Sequence, residues 1–486
     1  MRHRLAVFIA VLVCIGFHSA SGASPAEYDA RSLSGPQAIA DIDLAERLLT
    51  AVHPGYERYT PADTLERAWD DLRATVSDGT TDEAMYLAIS RTLAMIRCDH
   101  TKAELPAPLR EHREQHATHL PVRTHVFGGR LYAGANRVDG LMPGEEILAI
   151  NGMPADQLIG DIAPLISIDG NTEHARTDEL CYSSEYMGSG LDTFLPLMHG
   201  WSDAFTFRVR TKDGAVREVS GDALTFRAFE AMVDDAEGVV SDFDEAVSVE
   251  RLDERTALLR VDTFVNYRRP VDPTAVYAEA IRPLNEEGVD HLIVDIRRNG
   301  GGSTDAAVAL VRHLVAEPFV SDAVGEARAV PFPPELRESV TTWDESVFGA
   351  TQEMFDPLPN GRWRFKGEGP TAVDPAPDHF RGRVTLLSSS ANASGSTMLL
   401  GALQQRAGLR VVGEPTGGNI EGCTAGTIVF CDLPHSGVRV RVPLIRTVTG
   451  LRAQSPGMGV TPNVVVPVTA EAFFAGQDEA LEAARR

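Results

Sequence analysis

Two apolar runs, each emptying into a turn of small residues and then a helical pattern, constrain this chain more than any other feature. His291 to Ile296 reads as a buried strand and is followed by Gly300-Gly301-Gly302 and a helical segment from Thr304 to Val315. Arg383 to Leu387 is a second such run. After it come Ser388 to Ser396 and a helical segment from Gly395 to Gln405, with Met398, Leu399, Ala402 and Leu403 on one side. Thr256 to Val261 opens the series and Arg410 to Gly413 supplies a further strand. Continuous apolar runs belong to strands covered on both faces. Strand, helix and strand in succession imply right-handed parallel crossovers. The predicted fold class is therefore α/β, with a core of parallel β-α-β crossovers whose chemistry sits at the strand-to-helix turns.

The remaining residues of the 486 exceed what one core needs and predict further domains. Arg2, His3 and Arg4 precede an apolar run from Leu5 to Phe17 and the small residues Ser19 to Ala23. That is the order of a secretory signal, too short to span a bilayer. Residues 1–23 are assigned to it, and the mature chain is expected to be exported, periplasmic or extracellular, with no stable membrane span. From Asp41 to Ile96 apolar residues recur at helical spacing, as in Leu44, Leu48, Leu49 and Val52. An N-terminal helical domain is expected over 36–118, broken at His53-Pro54-Gly55, where His53 reads as a capping or packing residue. Between Leu120 and Gly221 the pattern turns to short strands. Gly140 to Gly152 sets Ile147-Leu148-Ala149-Ile150 between the turn formers Pro143-Gly144 and Asn151-Gly152. This resembles the carboxylate-side half of a PDZ domain, with Glu145 where that pattern has Asp. A PDZ-like domain is expected over 119–222, with an insertion from Ser167 to Gly200. It either takes an extended peptide at a sheet edge or only spaces its neighbours. The catalytic domain is expected over 246–470 and a helix or tail over 471–486.

A formal charge of -24 and a pI near 5.0 argue against nucleic acid or an anionic membrane as partner, since both need a basic face. Beyond the leader the cysteines are Cys98, Cys181, Cys423 and Cys431. A bridge from Cys423 to Cys431 across a hairpin and four small buried thiols stand as equal alternatives. His112, His116 and His119 fall at helical spacing without cysteine partners and read as a solvated helix or loop face. No metal site and no other cofactor are predicted.

Three consecutive glycines, Gly300 to Gly302, suit a backbone that bends sharply or admits a ligand closely. Amides exposed there suit an oxyanion, and the Lys and Ser/Thr ending of a phosphate loop is absent. The second turn, Ser388 to Ser396, puts Ser394 at a helix start, where free amides and the helix dipole stabilise developing negative charge. Asn392 stands where an α/β-hydrolase elbow has glycine.

Asp295-Ile296-Arg297-x-Asn299-Gly300-Gly301-Gly302, Ser394 and Val411-Val412-Gly413-Glu414-Pro415-Thr416-Gly417-Gly418 together resemble the tail-specific, or C-terminal-processing, serine proteases. The resemblance implies an α/β spiral core of crotonase or Clp-protease type. It also sets the register, because the family's nucleophile lies 19 residues before the first Gly of its Gly-Glu-x-Thr motif, which from Gly413 is Ser394. The best-known members carry a lysine base 25 residues after the serine, where this chain has Asn419. Its three lysines, Lys102, Lys212 and Lys366, all precede Ser394. The chain is therefore similar to the lysine-less branch, resembling the tricorn core and the retinoid-binding-protein-like peptidases, whose base is a histidine ending the N-terminal helical domain. His100, in Arg97-Cys98-Asp99-His100-Thr101, fills that slot. A neutral imidazole is suited to take the serine proton and return it to the leaving amine. The branch's orienting acid falls at Pro456, and Gln454 and Asp432 are the substitutes, with no spacing to choose between them.

The predicted function is that of a serine endopeptidase acting on polypeptide through an acyl-enzyme on Ser394. His100 is the general base, and the amides of Gly395 and of Gly301 or Gly302 form the oxyanion hole. The alternative is a non-catalytic peptide- or apolar-ligand-binding protein on the same fold, which Pro456 favours. An esterase shares the acyl chemistry and is separated only by substrate tests.

Overall fold

A six-stranded sheet carries the strand-to-helix turns singled out above. In order across the sheet its strands are Val247–Arg251, Thr256–Val261, His291–Asp295, Arg383–Ser388, Arg410–Gly413 and Val464–Val465. The first pairs antiparallel with its neighbour and the others run parallel. Ala257, Leu259, Val261, Leu292, Val294, Leu386 and Val411 face a core made with the helices Pro273–Glu286, Thr304–Leu314 and Ser394–Gln405. Leu258, Ile293, Leu387 and Val412 point the other way, onto Ala480 and Ala484 of the helix Glu479–Arg485. Cover on both faces is why these strands lack polar alternation.

The computed structural model describes residues 27–240 and 242–486, and the expected leader lies outside them. The helices Gly35–Val52, Ala62–Thr75 and Asp82–Ala94 begin the described chain. Ser34 and Gln37 form a capping box on the first, and Thr81 accepts the Ala84 amide at 3.2 Å on the third, satisfying amides that a helix start otherwise leaves unpaired. Their apolar faces, with Ile42, Leu49, Trp69, Met85 and Ile89, share one continuous core with an antiparallel sheet and with the hairpin Thr424–Asp432 and Arg439–Val448. His53 closes the first helix fully buried, its Nδ1 accepting the Gly55 amide at 3.0 Å and its Nε2 2.8 Å from Thr101 Oγ1. It is a packing residue that fixes the segment after His100.

The antiparallel sheet runs Val216–Asp222, Ala204–Arg210, Glu146–Ile150, Arg130–Asn136 and Val122–Phe127. Asn151 (φ 50) and Gly152 (φ 80) make the turn that their dipeptide predicts. The residues between the strands Glu146–Ile150 and Ala204–Arg210 include the helices Arg176–Cys181 and Gly190–His199. Arg123 of the edge strand donates to Cys181 O at 2.9 Å, so this insertion lies along that edge.

The structure decides between the two cysteine alternatives, in favour of four buried thiols, and corrects the expectation for three histidines. All four described cysteines are free and buried. Cys423 and Cys431 sit at opposite ends of one strand rather than across a hairpin, and eight extended residues separate them by about 26 Å, far beyond a disulfide's reach. The histidines at 112, 116 and 119 do not form a solvated face. His119 is buried with Nε2 2.8 Å from Met187 O, while the rings of His112 and His116 stack at 4.3 Å and Trp201 meets His112 edge-on at 5.3 Å. Among the described residues no group of three His, Cys, Asp or Glu is placed to hold a metal ion, and no helix is long and apolar enough to cross a membrane.

Candidate active site

The two turns predicted to carry chemistry are laced together by buried side chains. Asn392 Nδ2 donates to Ile296 O and Asn299 O, Ser389 Oγ to Arg297 O, and Ser396 Oγ to Asn299 O at 2.6 Å. Asn299 in turn donates through Nδ2 to Val261 O at 3.0 Å. Each of these residues satisfies a carbonyl left bare where a strand ends, which is the requirement that buried backbone places on its neighbours. Arg297 faces away. Its guanidinium bonds both oxygens of Asp295 and both of Asp478, which also caps the C-terminal helix.

Ser394 begins its helix at φ 46, a left-handed conformation that costs a non-glycine residue energy and is found where surrounding contacts impose it. Gly301 and Gly418 leave the room that the turn needs. A Cβ on Gly301 would meet Ser394 Cβ, and one on Gly418 would lie 3.0 Å from Ser394 N. Of the three glycine amides expected at the oxyanion hole, that of Gly301 donates to Asn299 Oδ1 at 2.9 Å. Gly302 and Gly395 donate to no acceptor among the described residues, and a Cβ on Gly395 would stand 3.9 Å from Gly302 N.

His100 follows the N-terminal helices in a turn whose other members are all held. Thr101 is fixed by His53, and Asp99 by Lys102, whose buried ammonium lies 3.0 Å away and also meets Glu179 and Glu185. His100 Nδ1 is buried without a hydrogen-bond partner. The insertion brings Asp169 against this turn, with the Asp99 amide donating to its Oδ1 at 3.1 Å. Burial raises the Asp169 carboxyl and His100 is the largest opposing influence on it. Cys423 connects this side to Ser394. Its sulfur is 3.7 Å from Ser394 Oγ, and its thiol is pushed up to about 12, by burial first and then by Asp169. A thiol at that value stays protonated and is not the nucleophile.

Asn419, at the lysine position of the better-known relatives, is buried and meets Arg58, whose guanidinium also binds Glu421 and Gly422 O. Gln454 accepts the Thr461 hydroxyl at the surface. Asp432 ends its strand in an ion pair with Arg439. Asp169 carried no sequence signal, being one acid among many in a stretch without periodicity. Beside Ser394 a cavity of about 380 Å³ opens, lined on one side by Gly395, Met398, Leu399 and Ala402 and on the other by Val308, Phe319 and Leu451.

Residues 255–466 match the family described as Peptidase family S41. No curated protein sequence matches the chain. Among solved structures the fold is similar to CPAF with a serine-to-alanine mutation, with a TM-score of 0.62 and 15% identity over 92% of this chain and 96% of that one. It is similar also to mature CPAF complexed with lactacystin, at 0.59 and 14% over 93% and 97%. The photosystem II D1 C-terminal processing protease aligns with a TM-score of 0.43 and 16% identity over 89% and 93%.

Proposed function

We propose that this chain, whose residues 255–466 form a serine-type peptidase domain of family S41, cleaves polypeptides through an acyl-enzyme on Ser394 with His100 as general base. The observation that carries the reading is the setting of Ser394, at φ 46 on a helix start beside two amides that donate to no acceptor among the described residues.

In the first step His100 takes the proton from Ser394 Oγ as the oxygen bonds to the peptide carbonyl carbon. The carbonyl oxygen becomes an anion, for which the free amides of Gly302 and Gly395 and the positive end of the helix are suited. Collapse breaks the C–N bond, and His100 returns its proton to the leaving amine. Water then gives a proton to His100 and attacks the ester, and the proton passes back to Ser394 as the acid leaves. The cavity beside Gly395 is apolar along its helix wall, so the reading extends to substrates with an aliphatic or aromatic side chain next to the scissile bond.

Our reading also keeps a crotonase- or Clp-like spiral for the core, supported by the parallel strand order, and a PDZ-like character for the antiparallel sheet, supported by its Asn151-Gly152 turn. Export remains part of it on the strength of residues 1–23. The test is fluorophosphonate labelling of the protein, comparing wild type with Ser394→Ala and His100→Ala. Labelling lost in both variants, each shown folded by circular dichroism, supports the reading. A folded wild type that stays unlabelled overturns it.

A further inference from the structure

We propose that Asp169 is the positioning residue for His100, accepting a hydrogen bond from its Nδ1–H and so leaving Nε2 free to face Ser394. This rests on the peptidase reading above and adds to it the group that sets the base's tautomer.

Among the buried polar atoms in this region that lack partners, two belong to an imidazole and a carboxyl, groups able to bond each other. His100 Nδ1 and Asp169 Oδ2 are both sealed from solvent and unpaired. Leaving a buried carboxylate oxygen unpaired is costly, more so than for a neutral group. The two residues are already tied through the backbone, since Asp169 Oδ1 accepts the amide of Asp99, the residue before His100. Of the charged neighbours acting on the Asp169 carboxyl, His100 acts most strongly, ahead of Asp99 and Arg58. Hydrogen bonds of a resting active site are often long and tighten when substrate arrives.

The backbone on both sides of Asp169 is fixed. Gly170 N donates to Arg97 O at 2.9 Å, and Thr172 Oγ1 donates to Asp169 O at 2.8 Å and to Gly417 O at 2.6 Å, next to the turn that abuts Ser394. Asn171 donates through its amide to Gly457 O and through Nδ2 to Pro456 O, each at 2.8 Å. The insertion thus lies on the stretch where no acid is found and brings one of its own. Asp99 is no rival, because Lys102 holds its carboxylate. The groups facing Asp169 are His100, Asp99 and Cys98 on one segment, Arg58 and Tyr59 on a second and Cys423 on a third. Of these Tyr59 has the other unpaired buried polar atom, its hydroxyl.

A carboxylate at Nδ1 stabilises the imidazolium that forms when Ser394 is deprotonated, and it holds the productive tautomer. Asp169→Asn removes both effects. It is expected to lower kcat and the rate of fluorophosphonate labelling by ~10²–10⁴-fold with KM little changed, and to move the acid limb of kcat/KM to lower pH. Asp169→Glu recovers part of the rate, and Tyr59→Phe leaves the acid limb in place. An unmoved limb in Asp169→Asn, with labelling within about twofold of wild type, overturns the proposal. Ring-nitrogen shifts of protein labelled with 15N-histidine, assigned with His100→Gln, give a readout that needs no turnover. Nδ1–H at His100 in wild type, lost in Asp169→Asn, supports the pairing even in a wild type that fails to label, where only the peptidase reading falls. An unchanged tautomer in a wild type that does label overturns the pairing and leaves the peptidase reading standing.

Discussion

A Cβ on Gly301 would stand 2.9 Å from the Cβ of Ser394, closer than such atoms approach in folded proteins. Backbone surrounds the same point, with Gly395 N at 3.0 Å and Ala393 O at 3.1 Å, so no flexible side chain is there to yield. Gly301 also sits at φ 112, which a side chain resists. Gly301→Ala is expected to push the two turns apart and reduce fluorophosphonate labelling by about 10²-fold, the scale of losing one oxyanion donor. Near-normal labelling in this variant would mean that the turns do not act as one unit.

Asn392 offers a second test, on stability. Its Nδ2 serves two buried carbonyls and its Oδ1 accepts the Ser389 amide at 2.9 Å. Asn392→Ala leaves those groups unpaired and is expected to cost about 1–3 kcal/mol in urea denaturation. Asn392→Asp is expected to cost more at pH 7, because a carboxylate would face the carbonyls of Ile296 and Asn299. The introduced carboxyl prefers its proton in the folded state, so its folded pKa lies above the unfolded value and the extra cost shrinks as pH falls.

What could be read in the sequence follows from which forces are local. The strand from His291 and the helix from Ser394 were legible because cover on both faces leaves an unbroken apolar run, and one covered helix face leaves a repeat. Ser394 was picked out by the register that the family resemblance sets from Gly413. His100 was picked out by its short pattern at the end of the helical domain, together with the lack of any lysine after Ser394. Asp169 has no such mark, since its place beside His100 depends on Asn171 reaching Pro456, 285 residues away. The commitment of the Gly301 amide to Asn299 is equally silent, because it is set by a side-chain rotamer rather than by spacing. The choice between a Cys423–Cys431 bridge and buried thiols stayed open in the sequence for a related reason. The turn of the hairpin lies after Cys431, and strand ends shifted by a few residues decide whether two cysteines face or follow one another.

His125 sets up a pH test. Its ring lies among Phe127, Phe473 and Phe474, with centroids at 6.1, 4.7 and 5.8 Å. Burial, with Arg123 adding to it, pushes its pKa down to about 3. The unfolded chain therefore binds a proton that the folded one refuses, so stability present above about pH 6.5 is lost as pH falls toward 3. His125→Phe keeps a ring in the cluster and removes the proton. The drop in unfolding free energy between pH 7 and pH 4 is expected to be smaller in the variant by up to about 3 kcal/mol. An identical drop in both proteins would show that the imidazole titrates freely in the folded state.

The cavity beside Ser394 gives a specificity test. Ala402 lies on its helix wall, and Ala402→Trp is expected to fill much of the space. With a peptide series differing only in the residue before the scissile bond, kcat/KM should fall about tenfold or more for Leu and Phe and change little for Ala, on the scale of a few lost methylene contacts. A uniform fall across the series would place the substrate side chain elsewhere.

Asp478 clamps Arg297 across 181 residues of chain, and Arg297 O receives the hydroxyl that holds the serine turn. In time, as well as space, this orders events. Ser394 and His100 are synthesised before Asp478, so in a growing chain the strand-end arginine is still unclamped and the second face of the sheet still lacks Ala480 and Ala484.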